Sequence, residues 1–242
     1  MTRKMRATGP RGRARTLAVD IGGSGIKAIV LDQAGRAVTT RARLETPHPA
    51  TPIAVIDTIR KLATQQRPFD RVSVGFPGVV RNGVTETAHN LDRNKWMQYQ
   101  LASTLSAKLG KPVRVANDAD VQGFGAIKGR GVEVVITLGT GVGSASFLNG
   151  RLVPNLELAH HAFRKGQTYE EQLGNAAFRK VGKKRWNKRL RKAVRTLERL
   201  FNFDRLYIGG GNAKNITTRL PANVKIVPNI AGLLGGIALW RE

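Results

Sequence analysis

The chain reads as an α/β protein of two lobes around a cleft, and two paired observations carry that reading. Leu17-Ala18-Val19 runs into DIGGSGIK (Asp20–Lys27), and Val134-Val135-Ile136 runs into LGTGVGS (Leu138–Ser144), so two apolar β-like runs each end in a glycine-rich turn. Glycine lets a backbone turn at positive φ and approach an anion closely. Bare N–H groups and a hydroxyl, Ser24 in one turn and Thr140 in the other, then have room for phosphate oxygens. One such turn is weak evidence, because glycine turns after strands are common and mostly structural. Two of them point to a split site that grips a phosphate chain from both sides. Neither fits the P-loop spacing G-x-x-x-x-G-K-[ST], and the first lacks the G-x-G-x-x-G register of a dinucleotide site.

The elements follow in order. Apolar patterning predicts strands at 16–21, 26–31, 36–43 and 71–75. Thr51-Pro52 is a good N-cap and first-turn pair, and Val55, Ile56, Ile59 and Leu62 continue it as a helix to about Gln65. A second helix, 98–109, ends at Gly110 as its C′ residue. Strands at 113–116, 133–138, 143–149, 205–209 and 224–227 belong to the second lobe, with helices at 118–127, 168–181 and 185–201. The apolar stretch Ile230–Trp240, with Gly232, Gly235 and Gly236, predicts a closely packed helix crossing back to the first lobe. The expected division is a basic tail at 1–15, a small lobe at 16–115 completed by 230–242, and a large lobe at 116–229. No repeat of short period is visible, and the two glycine turns are the only hint that the lobes are related.

The chemistry sits between these runs. Val113-Arg114-Val115-Ala116 meets Asn117-Asp118-Ala119-Asp120 where a strand passes into a helix. An Asn-Asp pair at such a junction is ordinarily a helix cap. The functional alternative makes Asp118 a general base at the mouth of the cleft, with Asn117 holding a substrate hydroxyl. Glu157 and His160, three residues apart, share a face if they lie on one helical turn, although such pairs are more often solvated surface. Asp20, ending its strand, puts a carboxylate where a metal-bound phosphate would sit. Lys27 either reaches phosphate or points to solvent.

In order, DIGGSGIK, VSVGFPG (Val72–Gly78), VANDAD (Val115–Asp120), LGTGVGSA, ELAHH (Glu157–His161) and YIGGGN (Tyr207–Asn212) resemble the ROK family of sugar kinases, within it most of all the bacterial polyphosphate glucokinases. The likeness runs from about Leu17 to Trp240. It implies an actin-like fold, of the hexokinase and ribonuclease H kind, with a hexose between the lobes. It implies Asp118 as catalytic base, Asn117, Glu157 and His160 as sugar ligands, and Gly22-Gly23-Ser24, Lys27 and Gly139-Thr140-Gly141 as phosphate motifs. Gly209-Gly210-Gly211 matches the turn beside the nucleoside of ATP-using members. Mg²⁺ bridging the donor phosphates is implied, with Asp20 its nearest carboxylate. Many ROK proteins carry a cysteine-rich zinc loop after the Glu/His motif, and this chain has no cysteine, so that structural zinc is not expected. The family's last sugar-binding glutamate follows the loop; Glu170 and Glu171 both qualify, with Glu170 favoured.

Charge is a separate line of evidence. Lys plus Arg is 41 and Asp plus Glu is 16, a formal balance of 41 − 16 = +25 over 242 residues. Such a field concentrates polyanions and speeds their capture; ATP does not need it. Arg3, Lys4, Arg6, Arg11, Arg13 and Arg15 stand in the tail without an acid. Residues 179–195 hold ten basic residues, among them Lys183, Lys184 and Arg185, around Trp186, again without an acid. Leu190, Val194 and Leu197 recur inside that run at helical spacing, so it predicts a helix with one buried stripe and a cationic outer face. Inorganic polyphosphate suits this face better than nucleic acid. Single-strand binders add aromatic platforms, whereas aromatics are only 6% here. ROK repressors also place a DNA-binding domain ahead of the kinase-like part, and only about sixteen residues precede the first strand here.

The expected reaction is therefore phosphoryl transfer from inorganic polyphosphate, with ATP as a further candidate donor, to the 6-hydroxyl of glucose or a related hexose. An ordinary ATP hexokinase and a non-enzymatic polyanion-binding relative are the alternatives. No apolar run nears the roughly 20 residues of a membrane helix, and no signal-peptide core follows the basic N-terminus. A cytoplasmic location is the default, and a homodimer stays open.

Overall fold

A computed structural model describes residues 14–88, 91–154, 156–228 and 231–241. Most of the basic tail lies outside these residues. β1 (Thr16–Ile21), β2 (Ile26–Leu31) and β3 (Ala42–Leu44) form an antiparallel meander. α1 (Pro52–Gln65) then leads to β4 (Arg71–Phe76), which pairs with β1 in parallel. A two-residue hairpin, β5 (Val80–Arg81) and β6 (Val84–Thr85), is followed by α2 (Arg93–Trp96) and α3 (Leu101–Leu109). β7 (Val113–Asn117) closes the first sheet parallel to β4.

α4 (Asp118–Phe124) crosses to the second sheet, where β8 (Val132–Leu138), β9 (Val142–Leu148) and β10 (Arg151–Val153) form another meander. The hairpin of β11 (Ala162–Arg164) and β12 (Gln167–Thr168), α5 (Tyr169–Leu173) and the long α6 (Asn175–Phe201) come next. β13 (Arg205–Gly209) and β14 (Val224–Ile226) join β8 in parallel, and α7 (Ala231–Leu234) precedes a 3₁₀ turn at Gly235–Trp240.

The strand orders are β3-β2-β1-β4-β7 and β10-β9-β8-β13-β14. Numbered within its own sheet, each reads 3-2-1-4-5, with the same antiparallel and parallel pairings. Each glycine turn connects the first two strands of its sheet, so the relation between the lobes, only hinted at by the turns, is plain in the topology.

Each sheet has its own core. Thr51 caps α1 by accepting the Ala54 N–H, and Val55, Ile59 and Leu62 are fully buried against Leu17, Val30 and Val72. In the second lobe Trp186, Leu190, Val194 and Leu197 of α6 pack on Val134, Ile136 and Leu206. Burying each such side chain is worth about 1.5–3 kcal/mol, and these two faces fix where α1 and α6 lie.

Four expectations need correction. The strand expected at 36–43 is confined to Ala42–Leu44, with a single bridge from Leu31 to Ala37. Thr39 Oγ1 accepts the Val30 N–H and the Gln66 amide donates to Thr40 O, so side chains take over what a ladder would supply. The helix expected from 98 begins at Leu101 because Gln98 has φ of 55°, although Gly110 does end it at φ of 63°. The helix expected at 168–181 breaks at the extended Gly174, and the following one kinks at Gly182, φ 74°. The C-terminal helix is a single α turn followed by 3₁₀ turns. There a Cβ on Gly235 would stand 1.8 Å from Val121 O, so the two backbones touch and no side chain fits between them.

That C-terminal segment is tied to the first sheet. Trp240 lies between the guanidinium groups of Arg71 and Arg114, 4.9 and 4.5 Å from its ring centre. Its Nε1–H donates to Ser73 Oγ, and Ser73 donates to Gly236 O. Leu233 is buried beside Ala18, Ile29 and Leu31. The segment thus spans the back of the first sheet and α4.

Candidate active site

A cleft of about 440 Å³ opens between the two sheets, lined by both glycine turns and by the start of α4. The turn 22–25 is closed by Gly22 N–H donating to Gly25 O at 3.1 Å, and it is braced from outside by Thr46 and Arg43. The turn 139–141 is closed the same way, Gly139 N–H to Gly141 O at 3.0 Å. It rests on the N–H of Asn175, the first residue of α6, and on the side-chain amide of Asn212. Ser24 and Thr140 are exposed at the two crests.

Of the two properties expected of the glycines, positive φ and close approach, the first is absent from both turns. None of Gly22, Gly23, Gly139 or Gly141 has positive φ; in the third motif Gly210 does, at 86°. What these glycines supply is closeness. A Cβ at Gly22 would sit 2.9 Å from Gly25 O, and one at Gly139 would project into open cleft space where a ligand would lie.

Asn117 and Asp118 divide the work that the sequence left undecided between cap and catalyst. Asn117 is the N-cap: its Oδ1 accepts from Ala119 and Asp120 N–H, at 2.8 and 3.3 Å, while its Nδ2 donates to Gly78 O. Asp118 is the next residue, half-buried on the cleft floor, and one oxygen accepts from Ala119 N–H at 2.8 Å. Burial pushes its carboxyl up to about 7, helped by the charge of Asp20 and, more weakly, of Asp120 and Glu157, against the Ala119 hydrogen bond. Burial and Glu157 likewise raise Asp120 to about 7. A carboxyl poised near neutrality in a cleft has the property a general base needs.

On the opposite wall Glu157 precedes a 3₁₀ turn that carries His160, with His160 Nε2 3.7 Å from Glu157 Oε2. The two share one face, as their spacing predicted. The glutamates at 170 and 171 separate cleanly. Glu171 belongs to a capping box with Thr168 and faces outward, whereas Glu170 lines the cleft and accepts the Val142 N–H at 3.0 Å. Lys27 points inward and pairs with Asp20, Nζ to Oδ2 2.7 Å, so the solvent-facing alternative is wrong. Gly210 and Gly211 line the far end of the cleft; Gly209 ends β13 just behind them.

Polar side chains at three further positions are among the lining residues that sequence reading missed. Gln122 stands one helical turn beyond Asp118, Asn175 opens α6, and Lys214 sits just past the third glycine motif. The i, i+4 spacing from Asp118 was the available signal for Gln122. A lone lysine in a turn offered none for Lys214.

The cationic residues of α6 fall into two grooves. Lys183 and Lys184 line one together with Thr217 and Thr218, and Lys188 and Arg191 line both. Arg185 and Arg189 line the other, with Arg164, Lys192 and Arg195. Burial and the like charges of Arg164 and Arg185 depress the Arg189 guanidinium below its ordinary range. Trp186 is fully buried and donates to Leu173 O, so it is a core residue and no platform for a base. Among the described residues no helix is long and apolar enough to cross a membrane.

The profile of the ROK family matches residues 16–156. The chain belongs to the ROK family. It is 34% identical over 234 residues to the polyphosphate glucokinase of Mycobacterium tuberculosis, covering 90% of this chain and 88% of that one. Among solved structures it resembles the inorganic polyphosphate/ATP-glucomannokinase of Arthrobacter sp. strain KM, at 33% identity and a TM-score of 0.85, covering 94% of this chain and all of the other. A ROK glucokinase from Streptomyces griseus shares the fold at 21% identity and a TM-score of 0.77. The actin-like architecture expected from the two glycine turns is thus that of these kinases.

Proposed function

We propose that this ROK protein is a polyphosphate-dependent glucokinase that transfers a phosphoryl group from inorganic polyphosphate, and also from ATP, to the 6-hydroxyl of glucose or a closely related hexose. The observation that carries the reading is Asp118, a carboxyl raised to about 7 on the floor of a cleft walled by two phosphate-type turns. The relatives aligned over 90% or more of this chain are polyphosphate glucokinases by name, and the neighbour from Arthrobacter uses polyphosphate and ATP by its name.

The hexose lies over Asp118, held by Asn117, Glu157, His160 and Glu170. Asp118 takes the hydroxyl proton as the sugar oxygen bonds to the terminal phosphorus. The bridging P–O bond breaks, and the electron pair leaves with the shortened polyphosphate or ADP. Positioning does most of the work in such transfers, and the turns 22–24 and 139–141 hold the donor on either side of the reacting phosphorus. Lys27 offsets the Asp20 charge beside the incoming phosphates. The residues present fit Mg²⁺, which is bound by one or two carboxylates plus substrate phosphates: Asp20 keeps an oxygen that Lys27 does not use, and Asp20 and Asp118 repel each other across the site. Mg²⁺ held there would neutralise donor phosphate oxygens.

The donor's distal end lies at Gly210-Gly211 and Lys214. Residues 215–218 beyond it are fastened to α6, with Asn187 Oδ1 accepting from Thr217 and Thr218 N–H and its Nδ2 donating to Asn215 O. This leads a polymer from Lys214 toward Lys183 and Lys184 rather than toward Arg185, and the site belongs to a cytoplasmic enzyme of sugar phosphorylation. A coupled assay of glucose 6-phosphate with polyphosphate or ATP as sole donor tests the proposal. Turnover with polyphosphate is expected, turnover with ATP alone would make it an ordinary hexokinase, and turnover with neither would reject it.

A further inference from the structure

Among the described residues, a single buried side-chain polar atom lacks a hydrogen-bond partner: Nε2 of Gln122. The residue is only 6% exposed yet lines the catalytic cleft. Leaving a buried amide unpaired is costly, and in a native protein such a group calls for a specific cause, among them strain, a catalytic role or a bound water or ion. A glutamine serving packing alone would be better replaced by methionine or leucine.

Its surroundings say which ligand. Gln122 lies four residues after Asp118 on α4, so the two side chains share one face and Gln122 is a turn further from the sugar wall. A Cβ on Gly209 would stand 2.4 Å from Gln122 Nε2. Gly209 has no positive φ, so room for this amide, and not backbone freedom, is what requires glycine there. Thr137, at the end of β8, and Gly210 line the same end of the cleft. The amide therefore stands under the donor half of the site, between the 139–141 turn and the third glycine motif. The end torsion of glutamine is broad and two-fold, so turning the N–H₂ toward an arriving oxyanion costs little.

We infer that Gln122 is a donor-positioning residue whose side-chain amide donates to a phosphate oxygen of the phosphoryl donor from the large-lobe floor. The inference rests on the functional reading above only for which phosphate compound arrives. It accounts for the orphaned nitrogen, for the glycine at 209 and for an amide at i+4 from the base.

The test compares wild type with Gln122→Met, similar in length but without a donor, and with Gln122→Glu, which presents a carboxylate to the phosphate. Tripolyphosphate binding is measured by calorimetry, melting temperature without ligand by calorimetric scan, and KM for hexose and donor by coupled assay. Gln122→Met is expected to melt no lower than wild type, because an unpaired buried amide is gone. Its tripolyphosphate affinity should fall about tenfold, the loss of one charge-assisted hydrogen bond, with hexose KM unchanged, and Gln122→Glu should lose more. A merely structural glutamine would show the reverse, a lower melting temperature with unchanged tripolyphosphate affinity, and that overturns the inference. Absence of tripolyphosphate binding in wild type also overturns it. Wild type that binds tripolyphosphate but phosphorylates no sugar would reject the proposed function and leave the Gln122 comparison decisive by itself.

Discussion

Gly235 and Val121 meet backbone to backbone, so close that a Cβ on Gly235 would stand 1.8 Å from the Val121 carbonyl oxygen. Val121 is on α4, three residues after Asp118, and Gly235 opens the terminal 3₁₀ turn that Trp240 anchors to the first sheet. The position of Asp118 is therefore set partly by the packing of Gly235 on α4. Gly235→Ala should destabilise the protein by about 1–3 kcal/mol, the usual cost of overpacking, and lower kcat more than it raises either KM. Urea unfolding and steady-state kinetics check this; wild-type values in both would show that the contact is slack.

The two glutamates at 170 and 171 make a matched pair for testing the sugar wall. Glu171→Ala should cost about 1 kcal/mol of stability through its capping box and leave hexose KM alone. Glu157→Gln and His160→Ala should each weaken hexose binding by about 1–3 kcal/mol, as expected when a buried partner goes unpaired, and Glu170→Gln should raise hexose KM in the same direction. The readout is the rise in melting temperature caused by glucose. A rise that survives substitution at 157 and 160 would place the sugar elsewhere.

Lys183 and Lys184 line only one of the two α6 grooves and Arg185 and Arg189 only the other, which sharpens the donor test. Polyphosphate KM should fall with polymer length and climb steeply with salt, by analogy with counterion release. ATP, held inside the cleft, should be less salt-sensitive. Reversing Lys183 and Lys184 to Glu should impair polyphosphate use and spare ATP. Reversing Arg185 and Arg189 should do much less. Equal effects of the two pairs would move the polymer path.

How much of this was legible in the sequence depended on whether a residue acts locally. The strand-turn-strand runs around Gly22 and Gly139, the Thr51 cap and the Leu190–Val194–Leu197 stripe are local patterns, and the structure matches them. Residues 36–41 were misread because Thr39 and Gln66, distant in sequence, satisfy that backbone in place of a ladder. The glycines of the two turns were found by position, but the positive φ expected of them is absent from Gly22, Gly23, Gly139 and Gly141, because backbone angles depend on how each turn closes. Lys214 was missed because only the fold brings residue 214 to the cleft, whereas Gln122 was within reach through its i, i+4 spacing from Asp118.

The central claim is that Asp118 takes the proton, and its raised carboxyl makes the measurement direct. Folded Asp118 titrates near 7 and unfolded Asp near its ordinary value, so between these the folded state holds the extra proton. Stability of the wild type is lost as pH rises through that window. Asp118→Asn removes the burden while Asn117 still caps α4. The variant should therefore melt at or above wild type at pH 8, with the gap narrowing as pH falls toward 4. Wild-type kcat/KM should drop about tenfold per unit below pH 7, and the variant's kcat should be lower by about 10²-fold or more. A variant that turns over at near wild-type rate, or a wild-type profile flat from pH 5 to 8, would contradict Asp118 as the base.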